Sequence, residues 1–137
     1  MKALLLILAL TVAVGAKAQE SFTLTVEVQG VPSAKGELRV ALFNNESDYL
    51  KKPYKGMSVN LETEAENSVV FEDLPAGEYA ISVIHDANKN GKLDFGNMGP
   101  TEAYGFSNNA PSMYGPAEYS KAKIDLEEDS TISITIE

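Results

Sequence analysis

Apolar and polar side chains alternate along most of the chain beyond residue 20. Residues 22–28 read Phe-Thr-Leu-Thr-Val-Glu-Val, which puts Phe22, Leu24, Val26 and Val28 on one side. A period of two over this length predicts a strand with one buried face. Gly30-Val31-Pro32 breaks the pattern. A second strand is predicted over 37–43, with Leu38, Val40 and Leu42 inward. Residues 44–55 are polar and carry Pro53, so they read as a loop with room for one helical turn. Weaker alternation over 57–61 predicts a third strand, and 68–71 a fourth that runs into the turn Leu74-Pro75-Ala76-Gly77. Over 78–85 both faces carry apolar residues: Tyr79, Ile81 and Val83 on one, Ala80 and Ile84 on the other. Such a strand belongs in the middle of a sheet. The strands at 121–126 and 131–136 complete the set, the latter with Ile132, Ile134 and Ile136 alternating against Thr and Ser.

About seven short strands with turn signals between them, and no amphipathic helix, predict an all-β fold. The expected architecture is an antiparallel sandwich of immunoglobulin-like or transthyretin-like shape with one long ordered loop. A βαβ protein is excluded, because no segment of helical period separates the strands. Residues 86–120 are the loop, and they hold five of the ten Gly and three of the six Pro. A connection that long in a small domain points to function or disorder. Phe95, Tyr104, Phe106, Tyr114 and Tyr119 argue for order, since rings of that size pack.

A length of 137 residues fits one domain, and 44 % hydrophobic residues suffice for a core. With 20 acidic against 11 basic side chains the net charge is −9, which argues against nucleic acid as a partner. There is no Cys and one His, so disulfides, thiolate zinc sites, cysteine nucleophiles and multi-histidine metal centres are all excluded. Met1-Lys2, an apolar run over 3–14, Gly15 and Ala16-Lys17-Ala18 have the layout of a secretory signal peptide. Cleavage after Ala18 is expected to leave residues 19–137 as a single β-sandwich domain, exported to the periplasm or the extracellular space. The apolar run is short of the ~20 residues of a membrane span, so no membrane insertion is expected after cleavage.

The long loop opens with Asp86-Ala87-Asn88-Lys89-Asn90-Gly91-Lys92-Leu93-Asp94. Asp86, Asn88 and Asn90 occupy positions 1, 3 and 5 of the EF-hand loop pattern, with Gly91 at the sharp turn of position 6. Lys92 would offer its carbonyl at position 7, and Asp94 stands at position 9. Position 12 is Asn97 instead of a bidentate Glu, and only two of the loop side chains are carboxylates. Calcium is therefore the expected cofactor, at an affinity in the ~10⁻⁴–10⁻³ M range of extracellular modules. Glu102 is a distant candidate ligand. The same residue types also build metal-free turns, through side-chain bonds to nearby backbone, and this alternative stands beside the ion.

Three motifs in order resemble one family. They are Phe71-Glu72-Asp73-Leu74-Pro75-Ala76-Gly77-Glu78-Tyr79-Ala80, then His85-Asp86 with Asn88, Asn90, Gly91, Leu93 and Asp94, then Tyr104-Gly105-Phe106-Ser107-Asn108-Asn109. Together they resemble a family of exported bacterial proteins of unknown function, DUF2141. The resemblance implies a small β-sandwich in or outside the cell envelope, and brings no established activity.

By alternation His85 shares a face with Tyr79, Ile81 and Val83, which reads as a core or rim histidine that holds the loop. The alternative is a hydrolase site built from His85, the neighbouring carboxylates Asp86, Asp94 and Glu102, and the 86–120 loop. Ser82 points to the other face, and Ser107 lacks a nucleophile-elbow context. Tyr104, Phe106, Asn108, Asn109 and Tyr114, with Met113, form the candidate ligand-binding segment, suited to a sugar or a partner chain. The competing reading has Tyr104, Phe106 and Tyr119 filling a satellite core. The leading expectation is a non-enzymatic envelope or extracellular module, calcium-stabilised, that binds a protein or carbohydrate ligand.

Overall fold

The computed structural model describes residues 15–137. The expected signal segment therefore lies, up to residue 14, outside the described residues. The chain runs through β1 (Ser21–Gln29), β2 (Glu37–Phe43), β3 (Lys55–Asn60), β4 (Ser68–Pro75) and β5 (Gly77–Asp86). Then come three short strands, β6 (Phe95–Gly96), β7 (Gly99–Pro100) and β8 (Tyr104–Phe106), and a 3₁₀ turn over Ser107–Asn109. A helical turn α1 (Tyr119–Ala122), β9 (Ile124–Leu126) and β10 (Ser130–Thr135) close the sequence. The strands that alternation predicts are all present. β6, β7 and β8 are additions inside the long loop, too short to leave a periodic signal.

One sheet has the order β10-β1-β4 and the other β3-β2-β5-β8, with β9 paired to the start of β5. Together they form an all-β sandwich. Every pairing among the described strands is antiparallel except β1 with β10, which run parallel from Leu24↔Ser130 to Gln29↔Thr135. Alternation fixes which face of a strand is buried and carries no information on direction, so the sequence could not distinguish this pair. The predicted strand over 121–126 is shorter than expected: residues 121 and 122 belong to α1, and only Ile124–Leu126 form β9. Tyr119 and Ala122 are both buried, and their spacing of three suits one turn of helix ahead of β9.

The core lies between the sheets. Leu24 and Val26 of β1, Leu38 and Leu42 of β2, Ile81 and Val83 of β5 and Ile134 of β10 have no solvent exposure. On β4 the inward residues Phe71 and Leu74 are three apart, an odd spacing that a regular strand cannot place on one face. A register shift opposite Phe22/Leu24, with Asp73 at φ 55°, inserts the extra residue and returns Leu74 to the core. β8 closes one side of the sandwich by pairing with the chain end, Tyr104 N–H to the Glu137 carbonyl at 3.3 Å and Glu137 N–H to the Tyr104 carbonyl at 3.2 Å. Gly105 makes this closure possible, since a Cβ there would lie 2.6 Å from the Thr135 carbonyl oxygen.

A second, smaller core sits on the outer face of the β5–β8 half. Ala80, Phe106, Ala110, Ala117, Tyr119 and Ala122 are buried there, with Tyr49 and Tyr104 packed at its edge. Tyr49 stands edge-on to both Phe43 and Tyr119 at 5.4 Å between ring centres, and its hydroxyl donates to the Ala117 carbonyl at 2.9 Å. Burial pushes that phenol up to about 12. Ser107, without solvent exposure, ties the layers together: its Oγ accepts from the Ile81 N–H at 2.9 Å and donates to the Ala122 carbonyl. The hydroxyl thus continues the β5–β8 ladder where β8 has ended. Ser107→Ala leaves a buried N–H and a buried carbonyl without this partner. It is expected to lower stability by about 1–3 kcal/mol in urea unfolding, and a change within error would contradict the role assigned to Ser107.

Candidate functional site

β5 delivers its last two residues to the start of the long loop. His85 is nearly buried; its ring Nε2 lies 2.8 Å from the Lys35 carbonyl, and its N–H donates to the Ala103 carbonyl at 2.8 Å. A carbonyl only accepts, so the ring proton is assigned to Nε2. His85 thus holds the connection between β1 and β2 against the strand end. Gly36, next along, sits at φ +74° directly on the Asp86 carbonyl and the Ala87 backbone, where any Cβ would collide.

Asp86 has no solvent exposure. A buried carboxylate needs donors on its oxygens, and the loop supplies backbone ones. Oδ1 accepts from the Asn90 N–H at 3.1 Å and Oδ2 from the Gly91 N–H at 2.7 Å. Lys89 at φ 57° and Gly91 at φ 84° take left-handed conformations that turn the chain around this group. The Asn88 Oδ1 accepts from the Asn90 N–H at 3.2 Å, and the Asn90 Oδ1 from the Lys92 N–H at 3.2 Å. The two amide Nδ2 groups converge on Asp94, Asn88 to Oδ2 at 2.6 Å and Asn90 to Oδ1 at 2.7 Å. Positions 86, 88, 90 and 94, singled out by spacing alone, are thus gathered around one turn.

Glu102, distant in sequence, joins them. Its two oxygens accept from the Ala87 N–H and the Asp94 N–H, each at 3.1 Å. Asn97 stands instead in the turn of the β6–β7 hairpin. Among the described residues no three His, Cys, Asp or Glu side chains are grouped so as to hold a metal. An ion in this loop would therefore draw on the Asn side-chain oxygens and the Lys92 carbonyl as well as on Asp86 and Asp94. Those are hard oxygen donors of the kind calcium accepts.

The ligand-binding candidates divide. Phe106 is buried in the second core and Tyr104 is half-buried beside it. The Asn108 Nδ2 donates to the Lys121 carbonyl at 3.1 Å and the Lys123 carbonyl at 2.8 Å, and the Asn109 Oδ1 accepts from the Thr135 N–H at 2.9 Å. Tyr114 is 99 % exposed. With it stand Met98 and Met113, both largely exposed, and Phe95 at 70 %, around a cleft of about 330 Å³. Phe95 and Tyr114, expected from the sequence to pack the loop, are instead exposed, and Met98 carries no sequence signal, because nothing in the pattern shows that the β6–β7 hairpin lifts these side chains clear of the sandwich. Leu93, inside the Asp86 loop, also lines this cleft. For hydrolysis, the two serines weighed in the sequence offer little: Ser107 is held on both sides in the second core, and Ser82 faces away from His85 along β5.

Hydrogen bonds from Asn90 and Asn88, in that order, hold the Asp94 carboxyl below its ordinary range, and the Lys92 charge adds to the effect. A folded-state pKa below the unfolded one contributes stability above the unfolded pKa, and that contribution is lost as pH falls through the folded value. In an NMR titration of the Asp94 carboxyl carbon, the variant Asn88→Ala/Asn90→Ala is expected to titrate at higher pH than the parent. Identical midpoints would contradict the amide clamp.

No curated protein and no solved structure matches the chain. A family model described as an uncharacterized protein conserved in bacteria matches residues 26–134, from β1 into β10. That span takes in both sheets, the Asp86 loop and the second core, and the chain belongs to this family, DUF2141.

Proposed function

We propose that the protein is an exported, non-enzymatic binding module whose 86–94 loop is ordered by calcium and whose neighbouring cleft engages a protein or carbohydrate ligand. The observation that carries this reading is the convergence of Asp86, Asn88, Asn90 and Asp94 on one turn whose Leu93 is also a wall of the cleft. Calcium would replace the two amide donors on Asp94 with a single cation. A turn of the Asn88 and Asn90 amides would bring their oxygens onto it. Two carboxylates and no bidentate Glu set the affinity at about 10⁻⁴–10⁻³ M, which suits a compartment rich in calcium. The N-terminal pattern of a basic start, apolar run and small-residue cleavage site supports export to the periplasm or beyond.

The cleft supports the binding half of the reading. Phe95, Met98, Met113 and Tyr114 give it rigid rings and adaptable thioethers on open surface. Exposed apolar side chains gathered in one place mark interaction sites.

Thermal unfolding in excess chelator and then in calcium tests the ion. At about ten times the dissociation constant, calcium stabilises the native state by RT ln 11, about 1.4 kcal/mol. The midpoint is expected to rise by roughly 3–8 °C with calcium and not with magnesium. No rise would return the loop to a metal-free turn, and an equal rise with magnesium would contradict a site selective for calcium.

A further inference from the structure

The outer face of the β3-β2-β5-β8 sheet is covered only over β5 and β8. Over β2 and β3 a groove of about 580 Å³ stays open, between the 44–54 connection at one end and Gly91 of the Asp86 loop at the other. Its floor is made of small side chains in register, Ala41 opposite Gly56 on one side and Ser82 on the other. Two further observations point to a ligand. Ser82, 9 % exposed, lines the groove with a polar side chain. The lining also includes Arg39 and Lys51 and no carboxylate, on a chain whose net charge is −9. Arg39 donates from Nη1 to Glu37 at 2.9 Å, which leaves its other guanidinium N–H groups for a second acceptor.

We propose that this groove binds a small organic anion, a carboxylate carried on an aliphatic chain. The positive side chains attract the carboxylate, the Ser82 hydroxyl supplies a fixed hydrogen bond, and Phe43, Leu50 and Ile84 meet the apolar body. From Arg39 to Phe43 the floor extends four residues along β2, roughly 13 Å at about 3.3 Å per residue. The site is separate from the cleft around Tyr114 and meets the Asp86 loop only at Gly91.

The test is a two-dimensional amide NMR titration of the whole chain with sodium decanoate below its micellar range, and with decyltrimethylammonium as the cationic counterpart. Decanoate is expected to shift the Ala41, Gly56 and Ser82 amides saturably, and the ammonium compound to leave them in place. Arg39→Gln/Lys51→Gln is expected to weaken binding about threefold or more, given the worth of exposed charge pairs. Ser82→Ala is expected to weaken it while the thermal midpoint stays unchanged. Shifts confined to residues 95–116, equal binding of the ammonium compound, undiminished binding by the charge variant, or no saturable shift would each overturn the proposal.

Discussion

β5 is buried on both faces, and most of the architecture follows from that. Tyr79, Ile81, Val83 and His85 face the core between the sheets, while on the other side Ala80 has no solvent exposure and Ser82 is mostly enclosed at the edge of the open groove. A strand can be covered on its second face only by chain that comes back over it. The residues after β5 do this: they reverse at Asp86, pair briefly as β8 beside β5, and lay the 107–122 segment across the sheet. The apolar pattern over 78–85 thus dictates a long excursion, and the excursion needs a firm reversal at its start.

Asp86 provides the reversal. A carboxylate withdrawn from water is costly unless its oxygens are satisfied, and here backbone N–H groups of the turn satisfy them. The cost of burying the charge and the need to turn the chain meet in one group. Gly36 and His85 hold the neighbouring connection against the same strand end, so the turn rests on a rigid base. Glu102 ties the far side of the loop to Ala87 and Asp94. The oxygens that brace this turn are also those that a hard cation takes, which is why a structural bracket and a calcium site are neighbouring solutions for the same residues.

Much of this was readable in the residues. Period-two patterns located the strands, the two apolar faces of 78–85 marked the central one, and the Asp86 spacing found the loop. Four things were not readable. The parallel β1–β10 pair was hidden because alternation is blind to strand direction. The β6–β7 hairpin is too short to leave a periodic signal and β8 pairs with a strand remote in sequence, and with them went the exposure of Phe95 and Met98. Asn108 and Asn109 looked like free recognition groups, yet they bond to the backbone of residues 121, 123 and 135. An amide side chain reads the same whether it meets a ligand or a carbonyl, so only the fold distinguishes them. The groove over β2 and β3 was invisible for a similar reason: small residues on three strands form a floor only once the register is known.

We propose above that the turn around Asp86 is a calcium site that sets the long segment in place. The most direct measurement is a calcium titration of the protein followed at the Asn90 and Gly91 amides, the two that bond to Asp86. The account predicts saturable shifts centred on residues 86–102 and their loss in Asp86→Asn, which keeps the side chain's size and removes its charge. Amides that stay in place at millimolar calcium, or shifts that survive in Asp86→Asn, would contradict it.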